Sequence, residues 1–144
     1  MKVLFRILQN QTSEELIDYV ISYVIDRYSN TQKIAIVADT DIAKAIDEKL
    51  WKEGEKTFIP HFCAISTVDY NKYPKVPVFI TDNMFVADGR DEVINLTNIP
   101  VNIVRHKYKS ITEIVNQEPQ RLTSSRKKYV YYKKLNAEVV HEKV

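Results

Sequence analysis

Apolar residues along the chain fall into two patterns, short continuous runs and stripes with helical spacing. The runs have the length of strands and are typical of a parallel sheet that is covered by helices on both faces. They predict strands at Val3–Leu8, Lys33–Ala38, Ile59–Ala64, Pro77–Thr81, Glu92–Leu96 and Ile111–Val115. Because helical stripes alternate with these runs, the sequence predicts a three-layer α/β/α sandwich around a mostly parallel sheet.

Two predicted helices follow the first two strands. Thr12 begins the first helix, since Glu15 stands at the capping-box spacing from it. Asp39 or Thr40 caps the second helix, which ends before the break at Gly54. Each helix carries apolar residues every three or four positions and is expected to bury one face against the sheet.

The third predicted helix, Pro119–Leu135, is the most basic part of the chain. Pro119 suits a first helical turn, and Asn136 can take the left-handed conformation that ends a helix. Six of the 21 Lys and Arg residues, and no Asp or Glu, lie between Pro119 and Ala137, although the net charge is only +2. This distribution indicates an anionic partner, or equally a solvated helix face.

Along this helix, Leu122, Arg126, Tyr129 and Tyr132 with Lys133 form one stripe of alternating apolar and cationic side chains. Such a stripe can bind a peptide that is both acidic and hydrophobic. It can also stack the bases of single-stranded nucleic acid. Packing of its apolar members on the sheet is the third interpretation.

Length and composition favour one domain at residues 1–136, followed by a C-terminal tail at residues 137–144. The 144 residues have a mass of 16.8 kDa and are 44% hydrophobic, which excludes disorder throughout. The apolar runs are far shorter than the roughly 20 residues that span a bilayer. With a single cysteine, Cys63, no internal disulfide can form. A cytoplasmic location is the default expectation, with no membrane partner.

Catalytic motifs are scarce. The only glycines, Gly54 and Gly89, do not lie between a strand and its following helix, so no nucleotide-binding loop and no cofactor are predicted. Asp39, Asp41 and Asp82 lie at the predicted carboxyl ends of strands, where magnesium-dependent phosphoryl-transfer enzymes place carboxylates. The same residues suit helix caps and turns, so a metal site is the weaker interpretation.

A second group of residues is Leu50-Trp51, followed after six residues by Phe58-Ile59-Pro60-His61. Large aromatic side chains in a poorly periodic segment either close the core or form an apolar patch for another protein. The sequence leaves both interpretations open.

The aromatic block from Leu50 to His61 resembles the hallmark of the chi subunit family of bacterial DNA polymerase III. Val93–Leu96 and Ile111–Val115 are similar to strands of that family. The final helix resembles the family pattern Arg-x-basic-Tyr-x-x-Tyr-basic, which is matched here by Arg126, Lys128, Tyr129, Tyr132 and Lys133. The resemblance covers roughly residues 2 to 135.

The resemblance implies a Rossmann-like fold without a nucleotide site and a non-catalytic accessory subunit. One surface of chi binds the psi subunit of the clamp-loader complex, and another binds the acidic, phenylalanine-ended tail of single-stranded DNA-binding protein. Carried over by motif, the psi-binding residues are Trp51, Phe58, Pro60 and His61. The tail-binding residues are Val115, Arg126, Lys128, Tyr129 and Tyr132.

One position departs from the family pattern. Where the family often has a second basic residue a turn before the arginine, this chain has Leu122, with Arg121 beside it. Contact with DNA is expected to be mostly indirect, and a helicase remains open as another occupant of the psi surface. The alternatives are a direct single-stranded nucleic-acid-binding module that uses the basic helix and a magnesium-dependent phosphoryl-transfer enzyme.

Overall fold

The fold is a seven-stranded parallel sheet with helices on both faces. The computed structural model describes residues 1–28, 32–53, 59–65, 76–84, 90–104 and 108–144. The strands are β1 (Lys2–Ile7), β2 (Ile34–Val37), β3 (His61–Ala64), β4 (Val78–Thr81), β5 (Glu92–Asn95), β6 (Ser110–Val115) and β7 (Glu138–Lys143). The helices are α1 (Ser13–Arg27), α2 (Thr40–Glu53) and α3 (Pro119–Lys134). The Rossmann-like α/β prediction is confirmed.

The strands lie in the order β3-β4-β2-β5-β6-β1-β7, and every pairing is parallel. The six predicted strands are all present, with ends within two residues of those expected. β2 is buried on both faces because its alternate side chains face different helical layers. β1 lies between β6 and β7, so the start of the chain pairs with two segments from its far end.

Each face of the sheet has its own core. On one face, α1 and α2 cover a cluster that includes Leu16, Val20 and Ile46. On the other face, α3 covers a second cluster around Phe5 and Tyr132. Burial of each such large apolar side chain contributes about 1.5–3 kcal/mol, so the two clusters hold the layers together.

The N-terminus of α1 has the capping box that the sequence predicts. The Oγ1 of Thr12 accepts a hydrogen bond from the Glu15 backbone N–H at 3.1 Å and donates one to the Glu15 carboxylate at 2.9 Å. This satisfies one of the N–H groups that the first helical turn leaves without a partner. None of the helices in the described ranges is long and apolar enough to cross a bilayer.

The residues treated as a tail in the sequence analysis form a strand instead. β7 pairs in register with β1 from Lys2 opposite Glu138 to Ile7 opposite Lys143. The strand prediction missed it because its sequence, Glu-Val-Val-His-Glu-Lys, has the charged side chains that are common on edge strands. β7 therefore forms one edge of the sheet, beside α3.

Candidate functional site

Helix α3 has well-defined ends. Pro119 is in its first turn, where the missing N–H costs nothing. Asn136 has φ 59°, the left-handed conformation, and its N–H donates to the carbonyl of Lys133 at 3.1 Å. This confirms the predicted stop. It also turns the chain so that β7 runs back along β1, next to the helix.

One face of α3 is occupied by a buried ion-pair network around Glu113. The Lys128 ammonium lies 2.8 Å from the Glu113 carboxylate and donates to the Thr97 carbonyl at 2.6 Å. The Tyr132 hydroxyl and the Asn95 amide both donate to the other carboxylate oxygen, at 2.6 Å and 2.9 Å. Glu113 is fully buried, so these bonds replace its hydration.

The network contains two residues of the predicted tail-binding set, Lys128 and Tyr132. Lys128 is 4% exposed and Tyr132 is fully buried. Burial, together with the neighbouring Glu113 charge, raises the pKa of the Tyr132 hydroxyl, which also accepts a hydrogen bond from the Val101 N–H. Both side chains have structural partners and do not line the pocket described next, because they project toward the sheet. The sequence motif could not separate them from their exposed neighbours.

The other side of α3 borders a cavity of about 380 Å³. Its walls are mainly apolar and come from β1, β6, α3 and β7. The lining residues are Phe5, Ile7, Val115, Leu122, Ser125, Arg126, Tyr129, Val130 and His141. We call this cavity the α3 pocket. Three predicted tail-binding residues, Val115, Arg126 and Tyr129, lie together in it.

Aromatic rings form the floor of the α3 pocket. The ring of Tyr129 meets that of Phe5 edge to face, with centroids 6.3 Å apart. His141 stacks on Phe5 at 5.4 Å and lies 5.0 Å from Tyr129. These contacts fix the rings in place without filling the cavity. The pocket is therefore a preformed apolar hollow.

Arg126 is the exposed cation of the α3 pocket. Within the described ranges, its guanidinium makes no ion pair and no side-chain hydrogen bond. Arg121 is committed elsewhere, since it donates to the carbonyl of Leu96 at 3.1 Å and lies 3.4 Å from the Glu118 carboxylate. A planar guanidinium beside apolar walls suits a carboxylate attached to a hydrophobic group.

A second surface surrounds Trp51, which is the third residue from the end of α2. The indole is 55% exposed and lies against the His61 ring, with centroids 4.5 Å apart. The His61 side chain is 1% exposed; its Nδ1 donates to the Ile59 carbonyl at 2.8 Å, and its Nε2 is 3.3 Å from the Asp47 carboxylate. We call this the Trp51 surface.

Trp51 does not close the core, which was one of the two interpretations of the aromatic block. Leu50 is the residue that packs in the core, with 3% of its surface exposed. The neighbouring Trp51 indole remains on the surface. Pro60 is partly exposed beside it, and Phe58 lies outside the described residues. Tryptophan is one of the residue types enriched among the residues that contribute most to protein–protein binding.

The acidic residues considered for a metal do not form a cluster. Asp39 and Asp41 are exposed, and Asp82 accepts a hydrogen bond from the Thr40 hydroxyl at 2.8 Å. In the part of the chain that the structure describes, no three His, Cys, Asp or Glu side chains are placed to hold a metal ion. Burial raises the pKa of the Cys63 thiol to about 11, which keeps it protonated.

Comparison with known proteins identifies the family. The model of the family described as DNA polymerase III chi subunit, HolC, matches residues 1–140. This chain belongs to the DNA polymerase III chi subunit family. Membership makes it an accessory subunit of the polymerase III complex, and the match extends into β7. No curated protein matches the chain.

The fold of this chi-family chain is shared with unrelated proteins. The C-terminal domain of the Saccharomyces cerevisiae protein Dbp5, bound to Gle1 and IP6, superposes with a TM-score of 0.68 at 13% identity, covering 99% of this chain and 90% of that one. Another structure of the C-terminal domain of the DEAD-box protein Dbp5 gives 0.67 at 14% identity, with 99% and 90% covered. At this identity the likeness shows the fold alone.

Proposed function

We propose that the α3 pocket binds the acidic, phenylalanine-ended C-terminal tail of single-stranded DNA-binding protein, and that this chain thereby links the polymerase III complex to coated single-stranded DNA. The observation that carries the proposal is Arg126, which has no ion-pair partner among the described residues and lies at an apolar pocket of about 380 Å³. The terminal carboxylate would be bound by the guanidinium. The phenyl ring would be buried against Val115, Leu122 and Tyr129.

Direct binding of single-stranded DNA is the competing use of α3. Stacking of bases needs several free aromatic faces. Tyr132 is buried in the Glu113 network, and the Tyr129 ring is packed against Phe5 and His141. Exposed cations remain at Lys127, Lys133 and Lys134, so weak contacts with phosphates are compatible with the fold. The rings nevertheless favour a single apolar ligand over a run of bases.

Calorimetry with an acidic peptide ending in phenylalanine tests the tail site. Arg126→Ala should weaken binding by about 1–3 kcal/mol, because one charge-assisted contact is lost. Lys127→Ala, which removes an exposed cation that does not line the pocket, is the matched control and should bind as the wild type does. A peptide whose C-terminus is an amide should lose a similar free energy with the wild-type protein.

Two results would argue against the tail site. One is unchanged affinity of Arg126→Ala, and the other is equal binding of the amide peptide. An oligonucleotide titration separates the competing function, since direct DNA binding should be tight and should weaken steeply with salt.

We further propose that the Trp51 surface binds the psi subunit and so connects the chain to the clamp loader. Trp51 supplies a large exposed apolar face, and Pro60 and His61 lie beside it; Phe58 belongs to the proposal through the family motif. Topology supports two simultaneous partners. α2 and β3 are at one edge of the sheet, whereas the α3 pocket is at the β7 edge.

Co-purification with psi tests the Trp51 surface. Trp51→Ala should reduce psi binding strongly, because an aromatic anchor at an interface often contributes about 2 kcal/mol or more. Leu135→Ala is the control, since Leu135 is an exposed apolar residue at the end of α3, on the opposite face of the sheet from α2. If Trp51→Ala retained psi at the wild-type level, the assignment would be wrong.

A further inference from the structure

His141 brings an ionisable side chain into the α3 pocket from a strand that the sequence analysis had not predicted. It is the polar residue that β7 contributes to the lining, opposite Arg126 on α3. Its ring faces contact Phe5 and Tyr129. The residue is exposed, and neither of its ring nitrogens has a hydrogen-bond or ion-pair partner among the described residues. Its ring edge is therefore available to a ligand.

Helix α3 does not supply the second cation that the family pattern has a turn before Arg126. Leu122 occupies that position and forms part of the apolar wall. Arg121 cannot replace it, because its guanidinium is bound to the Leu96 carbonyl and lies near the Glu118 carboxylate. Among the described residues that line the pocket, His141 is the only one besides Arg126 that can carry a positive charge, and none is a carboxylate.

We propose that His141 is a second carboxylate-binding residue of the α3 pocket and makes tail affinity depend on pH. The proposal rests on the tail site proposed above. Imidazolium donates from both ring nitrogens, so the protonated ring can share the terminal carboxylate with Arg126. Binding then takes up a proton from solvent, and the complex is tighter at lower pH.

The charged side chains around His141 favour the binding of a carboxylate at this position. From α3 it faces Arg126, and the Lys133 ammonium is 5.9 Å from the centre of the adjoining Tyr129 ring. From β1 it faces the apolar Phe5 and Ile7.

On β7 itself, Glu142 is directed away and pairs with Arg6 at 2.6 Å, while Lys143 is exposed. Within the described residues, the charges nearest to His141 are thus positive, and they attract the carboxylate of an incoming peptide.

Calorimetry over pH tests the inference with the same acidic peptide ending in a free phenylalanine carboxylate. Wild-type affinity should be about three- to tenfold higher near pH 6 than near pH 8, with a net proton uptake measured in buffers of different ionisation enthalpy. His141→Phe retains the ring contacts with Phe5 and Tyr129 but cannot carry charge. It should bind with a flat pH profile, and urea unfolding should show that its stability is preserved.

The outcomes separate the two proposals. If the wild type binds, Arg126→Ala weakens binding and His141→Phe keeps the wild-type pH profile, His141 plays no part and the tail site stands. If the wild type does not bind at either pH, the tail site fails and this inference with it. The C-terminal amide peptide is the matched ligand control, and with it the wild-type pH profile should be flat.

Discussion

Arg126 and Lys128 are two cations on one helix, separated by a single residue, with opposite environments. Lys128 is 4% exposed and bonded to Glu113 and to the Thr97 carbonyl. Arg126 is exposed and lines the α3 pocket without an ion pair in the described ranges. Helical geometry places residues two apart on nearly opposite faces. The basic character of α3 is therefore divided between a buried contact within the fold and an exposed position at the α3 pocket.

The two sides of α3 also differ in how a substitution should affect the protein. Around Glu113, removal of one partner leaves another buried group without its hydrogen bond, which is costly. Around the α3 pocket, Arg126 and His141 are exposed to solvent, so removal of either charged group should leave the stability of the fold nearly unchanged. Stability and affinity should consequently respond to different residues of one helix.

The largest effect is expected from Lys128→Met. The substitution leaves the Glu113 carboxylate buried without its cation and should lower the free energy of unfolding by about 3–5 kcal/mol. Urea denaturation measures it. Arg126→Met is the matched control on the same helix and should change stability by less than about 0.5 kcal/mol.

A double variant sharpens this test. Lys128→Met with Glu113→Gln removes the uncompensated charge and should recover part of the lost stability. If Lys128→Met were no more destabilising than Arg126→Met, the network would not be a determinant of the fold.

A smaller loss is expected from Tyr132→Phe. The variant keeps the ring but removes the hydroxyl that donates to Glu113 and accepts from the Val101 N–H. Leaving those buried groups unsatisfied should cost about 1–3 kcal/mol in unfolding experiments. Tyr131→Phe is the control, because Tyr131 is only half-buried and outside the network. Equal stability of the two variants would contradict the hydrogen-bonding scheme.

Alkaline pH should weaken the buried hydroxyl–carboxylate pairs. Burial, with the neighbouring Glu92 charge, raises the pKa of Tyr23 to about 12, and burial beside Glu113 raises that of Tyr132. A tyrosine whose pKa is raised by folding stabilises the folded state fully below its unfolded pKa of about 10, and this contribution is lost as pH rises through the folded value. Stability should thus fall above about pH 10 in the wild type and less steeply in Tyr132→Phe.

The smallest change is expected at the junction of α3 and β7. Asn136→Ala places a Cβ residue with a poor left-handed preference at φ 59° and should cost about 1 kcal/mol of stability. Asn136→Gly tolerates that φ and is the control, with stability near that of the wild type. Thermal unfolding of both variants measures the difference, and equal losses would show that the backbone conformation is not the cause.

The layers of the fold follow from periodicity, since strands such as β2 and β4 are continuous apolar runs and α1 has one apolar stripe. β7 was missed because its place in the sheet comes from pairing with β1, whereas its own sequence is mostly charged and exposed. Leu122, Arg126 and Tyr129 share a helical stripe, so their meeting in one pocket could be anticipated.

The division between Lys128 and Arg126 could not be anticipated from sequence. The decisive partner, Glu113, lies on β6 as a lone acid within an apolar strand. A charged residue in such a strand signals that a cation must come to meet it. The signal does not say which of the neighbouring basic residues does so, because that depends on the rotation of α3 about its axis.

The position of β1 between β6 and β7 has a consequence for synthesis. Phe5 and Ile7 form one wall of the α3 pocket and His141 another, so the cavity joins residues from opposite ends of the polypeptide. Contacts of such long sequence separation form late and slowly in folding. A nascent chain cannot present the pocket until translation has passed β7. Unfinished copies released from the ribosome would thus lack the complete α3 pocket.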